Sequence, residues 1–206
     1  MKKIVFCNIM MMKKFQRFCY KVTGNSTIEY DGEVAFPING VLARMLRKDD
    51  DVKVVLLKKE DPDGNSTRNV EEFKNELDAI NSSLGAKIEY KVLPMPHNED
   101  SKEQEKLFKG MVGELVEGAE IYADITYSAK SLPILVFSVL SFAERFFSAD
   151  IKSIVYGQVS FDAENKPYNP KLFDMTRLFY MNVIANTMEC EDGEAAKKML
   201  DAILSE

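Results

Sequence analysis

The chain has 206 residues, with 27 Lys and Arg against 33 Asp and Glu, one His, three Cys and no Trp. That length suits one domain with at most a small appendage, the single His rules out a multi-His zinc site, and Cys7, Cys19 and Cys190 form no C-x-x-C pair for a zinc ribbon or a thioredoxin motif. A net charge of −6 argues against a protein that coats long nucleic acid, where neutralising phosphate dominates affinity.

Ile4–Ile9 is a short apolar run and reads as a buried first strand. Phe18–Thr23 and Thr27–Tyr30 are rich in β-formers, with the turn residues Gly24, Asn25 and Ser26 between them. Asp31-Gly32 marks a second turn before Glu33–Phe36, so this stretch predicts a small antiparallel excursion ended by Pro37. A helix is expected over Ile38–Arg47 and a buried strand over Val52–Leu57, followed by a loop from Asp61 to Ser66. Asn69 is placed to cap the next helix, which runs to about Ser82 with Phe73, Leu77 and Ile80 as its apolar stripe. Lys87–Leu93 reads as a strand broken by Pro94-Met95-Pro96, and Ser101–Val116 as a helix. Ala119–Ile125 is a strand, Leu132–Phe147 a helix, Ile151–Tyr156 a strand and Leu172–Thr176 a short extended piece. Asn165–Pro170 reads as a surface loop, and Leu178–Met188 and Glu194–Leu204 as closing helices.

Strands alternating with helices predict an α/β fold: a doubly wound, mostly parallel Rossmann-like sheet with helices on both faces. The helix 132–147 is apolar on nearly every face. Such a helix needs cover on two sides, by the sheet and by another helix or a second subunit. The longest uncharged run, thirteen residues between Lys130 and Glu144, falls short of the ~20 that span a bilayer. The apolar run after Lys3 is short, so it reads as a strand and not as a signal peptide. Few cysteines in odd number fit a reducing, cytoplasmic setting. Charge is uneven: residues 1–23 carry six basic residues and no acid, and residues 189–206 carry six acids and two Lys.

The common chemical motifs are missing. The ten glycines form neither G-x-G-x-x-G nor a Walker A loop, and no G-x-S-x-G elbow occurs. His97 sits in a polar break with nothing pointing a Ser at it, and no acidic pattern suggests a metal site. Neither a metal nor another cofactor is expected. The informative segment is Asp124-Ile-Thr-Tyr-Ser-Ala-Lys-Ser-Leu-Pro133, which leaves a strand and enters a helix. Ligands of doubly wound sheets bind at such strand ends. Thr126, Ser128 and Ser131 offer hydroxyls, and Lys130 with the helix-start N–H groups offers an anion site. The plainer reading is a structural turn in which Ser131 caps the helix and Asp124 accepts backbone N–H groups.

This segment resembles the D-x-T-H-G-x-R-x-L-P type signature of the CRISPR-associated Rossmann-fold (CARF) proteins. Ile154-Val155-Tyr156-Gly157 is similar to that family's strand ending in Tyr-Gly. Phe173-Asp174-Met175-Thr176 resembles its hydrophobic-Asp-Leu-Thr step. Tyr127 stands where the family has His, and Ser128 where it has Gly. The three elements occur in order over about residues 1–190, which the resemblance makes one CARF-like domain, with residues 191–206 a C-terminal helix packed on it.

The resemblance implies a sensor of cyclic oligoadenylate, the second messenger of type III CRISPR antiviral signalling, bound across the axis of a homodimer. Asn8, Thr126 and Ser128 would then hydrogen-bond phosphate or ribose, with Lys13, Lys14 and Lys130 supplying charge. Met10, Met11 and Met12 are polarizable side chains for an adenine face or for packing. Tyr127 either stacks on adenine or packs. Ile9, Ala129, Ser131 and Gly157 complete the expected ligand-binding set. Only Glu194–Leu204 follows the last family-like element, too short for an effector module, so the chain either acts alone, which favours the ring nuclease below, or works with a separate effector protein. The alternative is a metal-independent ring nuclease, in which the ribose 2′-OH attacks the adjacent phosphate. Lys130 and Ser128 are its candidate catalytic groups. A third reading is a generic nucleotide- or flavin-binding α/β protein.

Overall fold

The computed structural model describes residues 1–95 and 100–204, and these form two compact units, Met1–Thr176 and Arg177–Glu206. His97 and Pro96 lie outside the described residues. Unit one is built on a seven-stranded sheet. Its elements are β1 (Lys2–Asn8), β2 (Lys21–Thr23), α1 (Pro37–Met45), β3 (Asp51–Lys59), α2 (Asn65–Asn81), β4 (Lys87–Met95), α3 (Ser101–Val112), β5 (Glu120–Asp124), α4 (Leu132–Phe147), β6 (Asp150–Phe161) and β7 (Pro167–Asp174). Unit two contains α5 (Thr176–Thr187) and α6 (Gly193–Leu204).

The strand order is β2-β7-β6-β5-β1-β3-β4. Strands β4, β3, β1, β5 and β6 run parallel, whereas β7 returns antiparallel to β6. The chain moves outward from β1 through β3 to β4, then crosses back to β5 and β6. Right-handed crossovers therefore put α1 and α2 on one face and α3 and α4 on the other. The α/β, doubly wound architecture expected from the strand–helix alternation is the one observed. From Lys3 to Asn8, β1 is buried at every position, as a central strand covered on both faces must be. The direction of winding reverses between β1 and β5, which makes their C-terminal ends the switch point of the sheet.

Four local expectations change. Thr27–Tyr30 is not a strand: Ser26–Ile28 form a 3-10 turn capped by the Asn25 side chain, which accepts the Thr27 N–H at 3.1 Å. The excursion reduces to β2, which pairs in parallel with β7, and to one antiparallel bridge between Phe18 and Val34. The second helix begins at Asn65, four residues before the expected cap at Asn69. The Asp61 carboxylate provides the cap, accepting the N–H groups of Asn65 (2.9 Å) and Ser66 (2.6 Å). These bonds, that from Ser66 foremost, favour the charged form and hold the Asp61 carboxyl below its usual range. Strand β4 runs on through Pro94 to Met95. It is an edge strand, where a residue without an N–H is tolerated. Finally, the presumed loop 165–170 is mostly β7: the chain reverses at Asp162–Lys166, with Asn165 left-handed at φ 64°, and pairing resumes at Pro167.

Helix α4 spans the expected residues. It buries Leu132, Val136, Val139, Leu140 and Ala143, and Phe142 packs edge-on against Phe108 of α3. Two of its apolar side chains are open within the single chain, Ile134 (72% exposed) and Phe146 (59%), on a side that also exposes Ser138 and Arg145. Among the described residues no helix is long and apolar enough to cross a membrane.

Candidate functional site

The Asp124–Ser131 turn leaves β5 at the switch point, beside the loop that leaves β1. Asn8, the last residue of β1, joins the two: its side-chain amide donates to the Tyr127 carbonyl. The two strand ends expected to share a site are thus adjacent.

The turn is fixed largely by its own polar groups. Asp124 is 4% exposed. One carboxylate oxygen accepts the Thr126 N–H at 2.8 Å, and the other accepts the Ile38 N–H, in the first turn of α1, at 3.2 Å. Burial raises the Asp124 carboxyl to about 6, against the lowering effect of the bonds from Thr126 and Ile38. Thr126 Oγ1 accepts the Gly157 N–H at 2.8 Å, which ties the turn to β6. A Cβ on Gly157 would lie 2.6 Å from Pro37 Cγ and 3.3 Å from two Thr126 atoms, so only glycine fits there. Ser128 Oγ donates to the Ile125 carbonyl at 2.6 Å. Ser128 is also absent from the positive-φ residues, so the turn closes without glycine geometry at the position where the resembled signature has it. The Ala129 carbonyl accepts the Leu132 N–H at 3.1 Å and opens α4. Ser131 occupies the N-cap position without a side-chain capping bond; its hydroxyl accepts from Gln104 Nε2 at 3.2 Å.

Tyr127 packs inward. Its hydroxyl donates to the Ala35 carbonyl at 3.0 Å, and its ring meets Phe36 edge-on at 6.4 Å. Burial holds its phenol well above the usual range, and burial raises neighbouring Tyr20 to about 12. Of the first-loop residues, Ile9 and Met10 are in the core, whereas Met11, Met12, Lys13 and Lys14 are exposed. Lys130 is exposed as well. The side chains of Lys13, Lys14 and Lys130 make no hydrogen bond or ion pair among the described residues. The open groups at the switch point are therefore these cations and the two methionines, while Asn8, Thr126, Tyr127 and Ser128 brace them. Among the described residues no group of three His, Cys, Asp or Glu side chains could hold a metal.

Three residues that sequence reading passed over complete the site. Glu76 of α2, 8% exposed, accepts the N–H groups of Ala35 (2.8 Å) and Phe36 (3.2 Å), while its partner Asn39 donates to it at 3.0 Å. With Asp124 on Ile38, two internal carboxylates fill the N-terminus of α1. That is the place where a Rossmann dinucleotide rests its pyrophosphate. Asn69 and Arg68, in the first turns of α2, bind the backbone of the β1 loop. Of the three, only Asn69 stood out locally, as an apparent helix cap; the place of Arg68 in the first turn of α2 emerges only with the helix start at Asn65.

No protein-family profile matches the chain. A CRISPR-associated protein of Methanocaldococcus jannaschii is similar to it, 28% identical over 109 residues. The match covers 45% of this chain but only 17% of that protein, so the chain spans well under a fifth of its relative's length.

Proposed function

We propose that this chain binds cyclic oligoadenylate in type III CRISPR antiviral signalling, in a pocket shared across a homodimer axis. The observation that carries the proposal is the exposed, unpaired set of Lys13, Lys14 and Lys130 at the switch point of the sheet, set on a turn braced by Asp124, Thr126, Ser128 and Gly157. None of the three has an opposite charge beside it among the described residues, and an anionic ligand would supply one. The similarity to a CRISPR-associated protein and the CARF-like motifs point the same way. The dimer comes from the CARF resemblance; on α4, whose N-terminus follows the turn, Ile134 is uncovered in the single chain.

Binding is favoured over ring opening because the Ser128 hydroxyl is committed to the Ile125 carbonyl, which leaves Lys130 as the one candidate catalytic group still open. It is favoured over a generic dinucleotide site because Glu76 and Asp124 already fill the N-terminus of α1. The test is to mix pure protein with cyclic tetra-adenylate or cyclic hexa-adenylate, without added metal, and to follow binding and cleavage together. One of the two rings is expected to bind without turnover. Linear products would establish the ring nuclease instead, and no binding of either ring would sink the proposal. Lys130→Ala removes a charge-assisted contact of ~1.5–3 kcal/mol, so affinity should fall roughly 10- to 100-fold. Unchanged affinity would refute the placing of phosphate at Lys130.

A further inference from the structure

The loop that carries Met11, Met12, Lys13 and Lys14 is not held by its own sequence. It has neither a regular element nor a glycine or proline to fix its course. Its carbonyl groups are held from α2. Asn69 is fully buried, and its Nδ2 donates to the Met10 carbonyl at 2.8 Å and to the Met12 carbonyl at 3.0 Å. Arg68 is exposed, and one guanidinium nitrogen donates to the Lys13 carbonyl at 2.6 Å and to the Met12 carbonyl at 3.3 Å. The same nitrogen reaches Asn69 Oδ1 at 3.3 Å, so the two side chains close one clasp.

Two features of Arg68 are unexplained by folding alone. It is the fourth residue of α2, where the positive end of the helix dipole opposes a cation. It also has no carboxylate partner among the described residues, although nearby Arg17 pairs with Glu76 at 3.2 Å. The clasp uses only one nitrogen, Nη2. Nη1 and Nε make no bond among the described residues. Both forks of a guanidinium, Nη1 with Nη2 and Nε with Nη2, use Nη2, so Arg68 keeps its delocalised charge and single N–H contacts from Nη1 or Nε for an anion.

We infer that Arg68 is a phosphate-contact residue of the switch-point pocket, holding the Met12–Lys13 backbone with one nitrogen and presenting its remaining N–H groups to the anion. The inference rests on the cyclic oligoadenylate reading above and adds a cation that comes from α2 and not from either strand-end loop. Arg68 acts in two ways. It fixes where Lys13 points, and it adds its own charge.

The test compares Arg68→Ala and Arg68→Lys with the unaltered protein, using cyclic tetra- and hexa-adenylate as probes. Arg68 is exposed, so both variants are expected to keep the fold, checked by thermal unfolding. Arg68→Ala should weaken binding roughly tenfold or more and reduce the steepness of the salt dependence by about one ion for each Arg68 in contact. Arg68→Lys keeps the charge but cannot hold the loop carbonyls and an anion from separate nitrogens, so it should restore the salt dependence while recovering only part of the affinity. A second readout needs no ligand: trypsin should cut after Lys13 and Lys14 faster in Arg68→Ala than in the unaltered protein. Equal ring affinity and equal salt dependence in Arg68→Ala overturn the phosphate contact. Equal trypsin rates overturn the clasp. If the unaltered protein binds neither ring, the oligoadenylate reading falls and takes the ligand role with it, and the trypsin comparison alone then decides the clasp.

Discussion

Gly157→Ala is the most direct probe of how the turn is built. The added methyl would sit 2.6 Å from Pro37 Cγ and 3.3 Å from both Thr126 Cγ2 and Oγ1. Carbon atoms pack at about 3.5–4.0 Å, so roughly 1 Å must be found against Pro37. Neither neighbour yields easily. Pro37 is a rigid ring at the start of α1, and Thr126 is held by its N–H on Asp124 and its hydroxyl on the Gly157 N–H. Overpacking of this kind costs about 1–3 kcal/mol. In a chain of this size each kcal/mol lowers Tm by about 2–4 °C, so a fall of about 2–12 °C is expected by calorimetry. The double variant Gly157→Ala/Pro37→Ala should recover part of the loss measured against Pro37→Ala alone, because the two changes share one contact. A Tm for Gly157→Ala within 1 °C of the unaltered protein would refute the argument. So would strict additivity in the pair.

Asp124 makes stability depend on pH with a definite sign. Its folded value of about 6 lies above the ordinary 3.8, so the folded state keeps a proton that the unfolded state has given up. The resulting contribution is fully present below about pH 4 and is lost as pH rises through about 6, by up to ~3 kcal/mol. Urea unfolding at pH 4.5 and 6.5 should show this slope in the unaltered protein and lack it in Asp124→Asn, and equal slopes would contradict the assignment. Tyr127→Phe deletes the bond to the Ala35 carbonyl and should cost about 1 kcal/mol of stability while leaving ring affinity within about twofold. A larger affinity loss would mean that Tyr127 faces the ligand. NAD and FAD should give no calorimetric binding signal, since Glu76 and Asp124 occupy the place of their pyrophosphate, and micromolar binding of either would overturn that reading.

The parts of this protein that were legible from sequence are those governed by short-range pattern. Helix α4 came out residue for residue, because its apolar run is bounded by Pro133 at the start and by left-handed Ser148 at the end. The turn from Asp124 was visible because Asp, Thr and Ser bond to backbone within a few residues, as Asp124 to Thr126 and Ser128 to Ile125 do. Long-range pairings were hidden. Asn69 precedes an apolar stripe and so mimics a cap, but the real cap is Asp61, and Asn69 reaches across to Met10, 59 residues away. Glu76 gave no signal, because its acceptor role is set by Ala35 and Phe36, 41 and 40 residues distant. The end of β7 was legible as the extended piece from Leu172, but its first half was read as a loop, because what holds Pro167 and Tyr168 extended is their pairing with Phe161 and Ser160 of β6.

The same residues explain why the fold shifts its open positive charge away from the first helix. In a doubly wound sheet two helix N-termini flank the switch point, those of α1 and α4, and each can accept negative charge. At α1 the acceptors are internal: Glu76 takes Ala35 and Phe36, and Asp124 takes Ile38. Both carboxylates also fix their surroundings, Glu76 through Asn39 and Arg17, and Asp124 through Thr126. At α4 the Ser131 side chain makes no capping bond to the helix start, and Lys130 stands one residue before this N-cap. Negative charge is thus built into one helix start and left to be supplied at the other. Asp124 links the two, since one oxygen anchors α1 and the other shapes the turn that presents Lys130. That division accounts for the lack of a glycine-rich phosphate loop: the start of α1, where such a loop would seat a phosphate, is already filled by Glu76 and Asp124.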